Sequence, residues 1–192
     1  MYNSAVSARK SLAGFETKFE GVWGNDNITV FKHDICTGMN DLFRNADAVY
    51  SSLAWKNGYE KFTHGSIAED TSFDDYINGL KKTIRELGIP AFLICGSSFV
   101  KKLEPDMDID IFFKLHNYPH ARVAIYNYSR LECVRDEDAL RDYVGRHFRT
   151  VLDPSCGYGN LIPYCQNTIL SDINDDCLNH IVKQYNLSKM EA

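Results

Sequence analysis

The chain has no Cys-x-x-Cys pair, no long apolar run, no excess of basic residues, no internal repeat and no low-complexity tract. Each absence narrows the field. Its six cysteines (Cys36, Cys95, Cys133, Cys156, Cys165 and Cys177) lie mostly in apolar contexts and read as reduced, buried thiols of a cytoplasmic protein. No stretch reaches the ~18 uninterrupted apolar residues of a spanning helix. Residues 1–14 carry Arg9 and Lys10 but no apolar core of signal-peptide length, so the expectation is a soluble, unsecreted protein without membrane contact. Lys and Arg number 21 against 26 Asp and Glu, a formal charge of -5. That balance excludes a broad electrostatic surface for nucleic acid, and any such contact must be local.

What is present suits one α/β domain, since 192 residues with 44% hydrophobic content can complete one core. Residues 1–27 read as an N-terminal arm and 28–192 as the domain. Ile28–His33 and Ala46–Ser51 are apolar, β-branched or aromatic runs with polar tips, and Gly38–Asn45 between them allows a short helix. Residues 56–72 read as a loop over the strand tips, where Lys56, Tyr59, Lys61, Phe62 and His64 mix basic and aromatic character suited to local substrate contact. Phe73, Tyr76, Ile77, Leu80, Ile84 and Leu87 recur at helical spacing until Gly88 stops the pattern. Ala91–Gly96 is a continuous apolar run, as in a central strand covered on both faces. Ile109–Leu115 and Arg122–Tyr128 flank a His116–His120 turn and suggest an antiparallel hairpin, and Asp136 caps a last helix before the strand at Thr150.

No metal is expected. Pro119 places His116 and His120 in a turn, and Asp106, Asp108 and Asp110 lack the glycine and distant glutamate of a calcium loop. His33 adjoins Asp34, but strand alternation puts its ring on the opposite face and gives it a structural role.

The most informative stretch is Val151-Leu152-Asp153-Pro154-Ser155-Cys156-Gly157-Tyr158-Gly159-Asn160, a buried strand feeding a glycine turn. Two glycines one residue apart let the backbone turn sharply and approach a ligand, with N–H groups facing what is bound. The third glycine of the dinucleotide fingerprint and the Gly-Lys-Ser/Thr of a phosphate loop are both missing. Thr168–Asn174 then reads as a second strand ending in Asp172, an acid placed to accept hydrogen bonds from ribose hydroxyls.

This pair of motifs resembles the first two of S-adenosylmethionine-dependent methyltransferases, and Asp-Pro-x-Cys-Gly-x-Gly-Asn resembles the DNA amino-methyltransferase branch. The resemblance implies that Asp153, Cys156, Gly157 and Gly159, with Pro154, surround the methionine part of S-adenosylmethionine, and that Asp172, followed by Ile173, holds the ribose. Moving the last two strands to the front of the element order yields a full seven-stranded methyltransferase plan over residues 28–187. The chain therefore resembles a circularly permuted member of that superfamily: a Rossmann-like, mostly parallel seven-stranded sheet with an antiparallel hairpin and helices on both faces. In that order Asp34, followed by Ile35, takes the place of the acid that accepts from the cofactor's adenine amino group. Ser52-Leu53-Ala54-Trp55 takes the place of the catalytic Asp/Asn/Ser-Pro-Pro-Tyr/Phe/Trp tetrapeptide. Ser52 and an adjacent carbonyl would accept from an exocyclic amine, and Trp55 would stack on a base drawn from its helix.

The two central prolines are absent, and with them the locked φ that aims a main-chain carbonyl at the amine. Three functions stay open: methyl transfer to adenine N6 or cytosine N4 of DNA, S-adenosylmethionine binding without transfer, and transfer to RNA or a small molecule. Few residues remain for a target-recognition domain, so local loops, a second copy of the chain or a separate recognition partner would read the substrate.

Overall fold

The computed structural model describes residues 18–53, 73–96, 103, 109–112, 121–131, 134 and 136–191. The loop expected over 56–72, Trp55, Asp106, Asp108, His116, His120 and Cys133 lie outside them. The strands are β1 (Val22–Gly24), β2 (Ile28–Lys32), β3 (Ala48–Ser52), β4 (Ala91–Gly96), β5 (Ile109–Phe112), β6 (Ala121–Tyr126), β7 (Thr150–Asp153), β8 (Asn167–Asp172) and β9 (Ser188–Lys189). The α-helices described from end to end are α1 (Phe73–Leu87), α2 (Glu137–His147) and α3 (Asp175–Gln184).

The nine described strands join one sheet in the order β5-β6-β4-β3-β7-β8-β2-β1-β9. Its centre is parallel: β2 pairs with β8, β8 with β7, β7 with β3 and β3 with β4. The expected hairpin is there, β6 lying antiparallel between β4 and β5. The sheet is wider than the seven strands expected. Val22–Gly24, within the stretch read as an arm, pairs antiparallel with β2 and with β9, closing one edge.

Continuous apolar runs mark the central strands because both faces are covered. On one face α1 sets Ile77, Leu80 and Ile84 against Phe31, Val49 and Leu93. On the other, Leu140 and Val144 of α2 meet Tyr50, Phe92 and Val151, while Leu178 and Ile181 of α3 meet Val30 and Leu170. Asp136 caps α2 through the Ala139 N–H, and Asn174 caps α3 through Asp176 and Cys177. The helix expected at Gly38–Asn45 is shorter: Asp41–Asn45 forms a 3-10 turn capped by Asn40, anchored by buried Phe43. Five residues cannot sustain an α-helical ladder, so one fully buried aromatic side chain fixes the segment instead. Among the described residues no helix is long and apolar enough to cross a membrane.

Candidate functional site

β7 and β3 are neighbours in the sheet, yet the chain leaves them differently. After β7 it continues to β8 beneath the face that α2 and α3 cover, whereas α1, the first described helix after β3, lies on the other face. Where adjacent parallel strands send their connections to opposite faces, a crevice opens beyond their carboxyl ends. A cavity of about 290 Å³ lies there, lined by residues from the tips of β2, β3, β7 and β8 and by α1.

The acidic tips come together. Lys32 and Asp172 are register partners on β2 and β8, so the Asp34 carboxylate just beyond β2 and the Asp172 carboxylate reach the same cavity. Asp34 Oδ1 accepts from the Cys36 N–H at 2.9 Å and caps the 3-10 turn Ile35–Thr37. Asp172 is tied to the glycine turn, Oδ2 accepting from the Gly157 N–H and Oδ1 from the Asn174 N–H, both at 2.9 Å. Burial raises the Asp172 carboxyl above its ordinary value, and those N–H groups partly offset the rise.

The turn itself divides between cavity and core. Pro154, Ser155, Gly157 and Tyr158 line the cavity, whereas Asp153, Cys156 and Gly159 do not. Gly157 has φ +51 and a Cβ there would meet nothing within 4 Å, so this glycine serves backbone conformation and leaves open space above it. Gly159 has φ +76 and a Cβ there would lie 2.9 Å from Ile162 Cδ1, so its place is against the core. Asp153 is 5% exposed, and its Oδ1 accepts from Ser51 Oγ and the Ser155 N–H, each at 3.2 Å. Burial, with the nearby Asp172 charge adding to it, pushes its carboxyl up to about 7, against the lowering effect of those two donors. Buried Cys156 has its thiol raised well above the ordinary range.

Of the residues named from sequence, the structure thus brings Asp34, Ile35, Ser52, Pro154, Gly157, Asp172 and Ile173 onto one cavity. Ser52 is exposed at its lip. Leu53, the second tetrapeptide residue, is 3% exposed among the α1-side core, and its N–H donates to the Ile94 carbonyl at 2.9 Å. Trp55 lies outside the described residues. His33 departs from expectation: it lines the cavity with Asp34, because the chain leaves strand geometry at Lys32 and alternation stops applying. Its Nε2 pairs with the Gly38 carbonyl at 2.8 Å.

Other lining residues carried no signal in sequence. Tyr76 of α1 is buried, and its hydroxyl lies 3.0 Å from Ser155 Oγ, joining helix to turn. The helical period marked it only as a core position. Cys36 also lines the cavity, its thiol pushed up to about 12 by burial and then by Asp34. Among the described residues no cluster of His, Cys, Asp and Glu is arranged to hold a metal ion.

No protein-family model and no curated protein sequence matches the chain. Solved structures do. The crystal structure of M1.HpyAVI superposes with a TM-score of 0.54 at 14% identity, covering 84% of this chain and 100% of that one. Its complex with SAM gives 0.53 at 13%, covering 82% and 99%. TTHA0409 from Thermus thermophilus, provisionally assigned as a DNA modification methylase and complexed with S-adenosyl-L-methionine, gives 0.51 at 10%, covering 83% and 94%. The chain has their fold. At such identities the likeness establishes a mixed α/β sheet of methyltransferase type, and the residues above must carry the rest.

Proposed function

We propose that the protein is an S-adenosylmethionine-dependent methyltransferase acting on an exocyclic amino group of a DNA base, adenine N6 or cytosine N4. The observation that carries this reading is the pair of carboxylates, Asp34 and Asp172, set at neighbouring strand tips around one cavity beside the glycine turn. A cavity of about 290 Å³ suits a nucleoside-sized ligand, and the open space over Gly157 leaves room for the ligand to approach the backbone. Asp172 would accept from the ribose hydroxyls and Asp34 from the adenine amino group, with Ile35 and Ile173 beside them. Pro154, Ser155 and Gly157 would hold the methionine end, while Asp153, Cys156 and Gly159 shape the turn from behind. S-adenosylmethionine supplies a methyl group made electrophilic by its sulfonium. The chain's own contribution is to orient the acceptor amine at Ser52, with Trp55 as stacking partner, and to keep water away by the apolar wall.

The strand order supports a circular permutation. With β7 and β8 counted first, followed by β2, β3, β4, β5 and β6, the glycine turn follows the first strand and the acid ends the second, as in the methyltransferase plan. The acidic chain supports local rather than broad DNA contact, with a second copy or a recognition partner supplying further surface.

A second reading, cofactor binding without transfer, is favoured by Leu53 and Ala54 standing where the family has prolines. Calorimetry with S-adenosylmethionine, followed by transfer of labelled methyl groups to unmethylated DNA, to RNA and to small metabolites, separates the two. Label in adenine N6 or cytosine N4 is the expected result. Binding with no labelled product leaves the second reading, label in RNA or a metabolite replaces the acceptor, and absence of binding sinks both.

A further inference from the structure

Parallel neighbours such as β7 and β8 are normally joined by a crossover α-helix, yet residues 154–166 between them hold only the 3-10 turn Ile162–Tyr164. This short connection is pressed against the helices on either side. A Cβ on Gly145 of α2 would lie 1.9 Å from the Tyr164 carbonyl oxygen, and one on Gly159 would lie 3.2 Å from Ile181 Cγ1 of α3. The space that a crossover helix would take is therefore left between α2 and α3 as a second cleft. Its volume is about 510 Å³, against about 290 Å³ for the cavity at the strand tips, and lies within the range of small-molecule sites. Asp34, Ser52 and Asp172 do not line it, and Tyr158 of the glycine turn stands between the two, lining both.

Aromatic rings and amides give this cleft its chemistry. Tyr158 is 50% exposed, one of two large exposed apolar side chains among the described residues, and its ring meets His180 of α3 edge-on at 5.2 Å. Tyr164 is held in place, its hydroxyl donating to Asp138 Oδ1 at 2.9 Å and the Arg141 guanidinium lying over its ring, 5.9 Å from the centroid. Rings already fixed lose little freedom when a flat ligand stacks on them. Asn160 on the turn and Gln184 at the end of α3 each add an amide that both donates and accepts. Arg141, the one Lys or Arg in the lining among the described residues, is already bonded to Glu137 and Asp138, so no such cation is spare for a phosphate. A flat, uncharged, hydrogen-bonding ligand fits. We propose that the cleft is a second binding site that takes a nucleobase, stacked on the tyrosine rings with its edge bonded by Asn160 and Gln184. The site stands apart from the methyltransferase reading, because none of the residues given a transfer role lines the cleft except through the turn itself. A free nucleoside and an unpaired DNA strand both present such a base, and the test separates them.

The test follows the side-chain amides of Asn160 and Gln184 by NMR in the full chain, during titration with 2′-deoxyadenosine, 2′-deoxycytidine, 2-deoxyribose and a short single-stranded oligodeoxyadenylate. Neither residue lines the strand-tip cavity, so a nucleoside bound there is not counted. The expected result is a saturable shift of both amides with a nucleoside and none with 2-deoxyribose. Tyr158→Ala, at a half-exposed position, should weaken nucleoside binding in the cleft about tenfold, the loss of one base–tyrosine stack. Gln184→Ala, at an exposed position and read at Asn160, should weaken it about fivefold, the loss of one hydrogen bond. An oligonucleotide that moves the amides at lower concentration than the nucleoside assigns the site to an unpaired strand, and one that needs as much or more assigns it to a free nucleoside. Amides that stay still with both nucleosides, equal shifts with 2-deoxyribose, or two variants that bind as well as the wild type overturn the proposal.

Discussion

Gly79, in the middle of α1, offers a case where two physical effects of opposite sign compete and the structure decides between them. In an isolated helix, replacing glycine by alanine gains about 1 kcal/mol. At this position, however, a Cβ would lie 2.2 Å from the Ile35 carbonyl oxygen, 2.7 Å from Cys36 Cα and 2.9 Å from the Ile35 carbonyl carbon. All three atoms are backbone, so no side-chain rotation relieves them, and helix and turn must separate by about 1 Å to restore ordinary contact. Overpacking costs about 1–3 kcal/mol, and three unyielding backbone contacts under 3 Å put this case at about 2–3 kcal/mol, which outweighs the propensity gain. The expected net loss for Gly79→Ala is about 1–2 kcal/mol, a fall in Tm of roughly 2–8 °C for a domain of this size. Ile35 and Cys36 line the cavity, so affinity for S-adenosylmethionine should fall with the Tm. Thermal denaturation followed by circular dichroism checks this beside Asn78→Ala, an exposed neighbour that gains helix propensity without the clash. A Gly79→Ala protein as stable as Asn78→Ala would refute the close packing of α1 on the cavity wall.

Asp172→Ala removes the acceptor of two backbone N–H groups along with the proposed ribose contact, and should weaken S-adenosylmethionine binding in calorimetry by roughly 2 kcal/mol, about thirtyfold. Unchanged affinity would place the ribose elsewhere. Asp153 is raised from 3.8 to about 7, so its contribution favours the folded state below pH 3.8 and is lost as pH rises toward 7. Asp153→Asn keeps an oxygen for Ser51 and Ser155, and its urea stability should be flatter across pH 5–8 than that of the wild type and no lower at pH 8; a steeper profile would contradict the buried carboxyl. Cys36, raised to about 12, should alkylate slowly with iodoacetamide at pH 8, and rapid labelling located by mass spectrometry would show an accessible thiolate.

The parallel centre of the sheet was legible because buried strands write themselves as apolar runs, and Ala91–Gly96 and Val151–Asp153 are both of that kind. Helix α1 was legible from its period and the start of α2 from its cap Asp136, a side chain that competes for N–H groups in any context, whereas Asn174, read as the end of a strand, caps α3. Two kinds of feature were not. Val22–Gly24 is three residues long, and its pairing with Thr29–Phe31 and with Ser188–Lys189 depends on neighbours that no local pattern announces. The meeting of Tyr76 with Ser155 arises likewise from where α1 crosses the turn, since a helical period marks a residue as inward without naming what it meets.

The tetrapeptide shows why a missing motif residue is a weaker argument than a missing interaction. Absent prolines remove one means of directing a carbonyl, a constraint local to the chain and therefore visible in sequence. The ladder between β3 and β4 is a second means, and it is invisible there because its partner, Ile94, lies on another strand. The two exclude each other, since a residue at 53 either carries the N–H that Ile94 accepts or is a proline without one. The Leu53 side chain is buried and its N–H is bonded to Ile94, so the peptide between Ser52 and Leu53 takes its direction from the sheet.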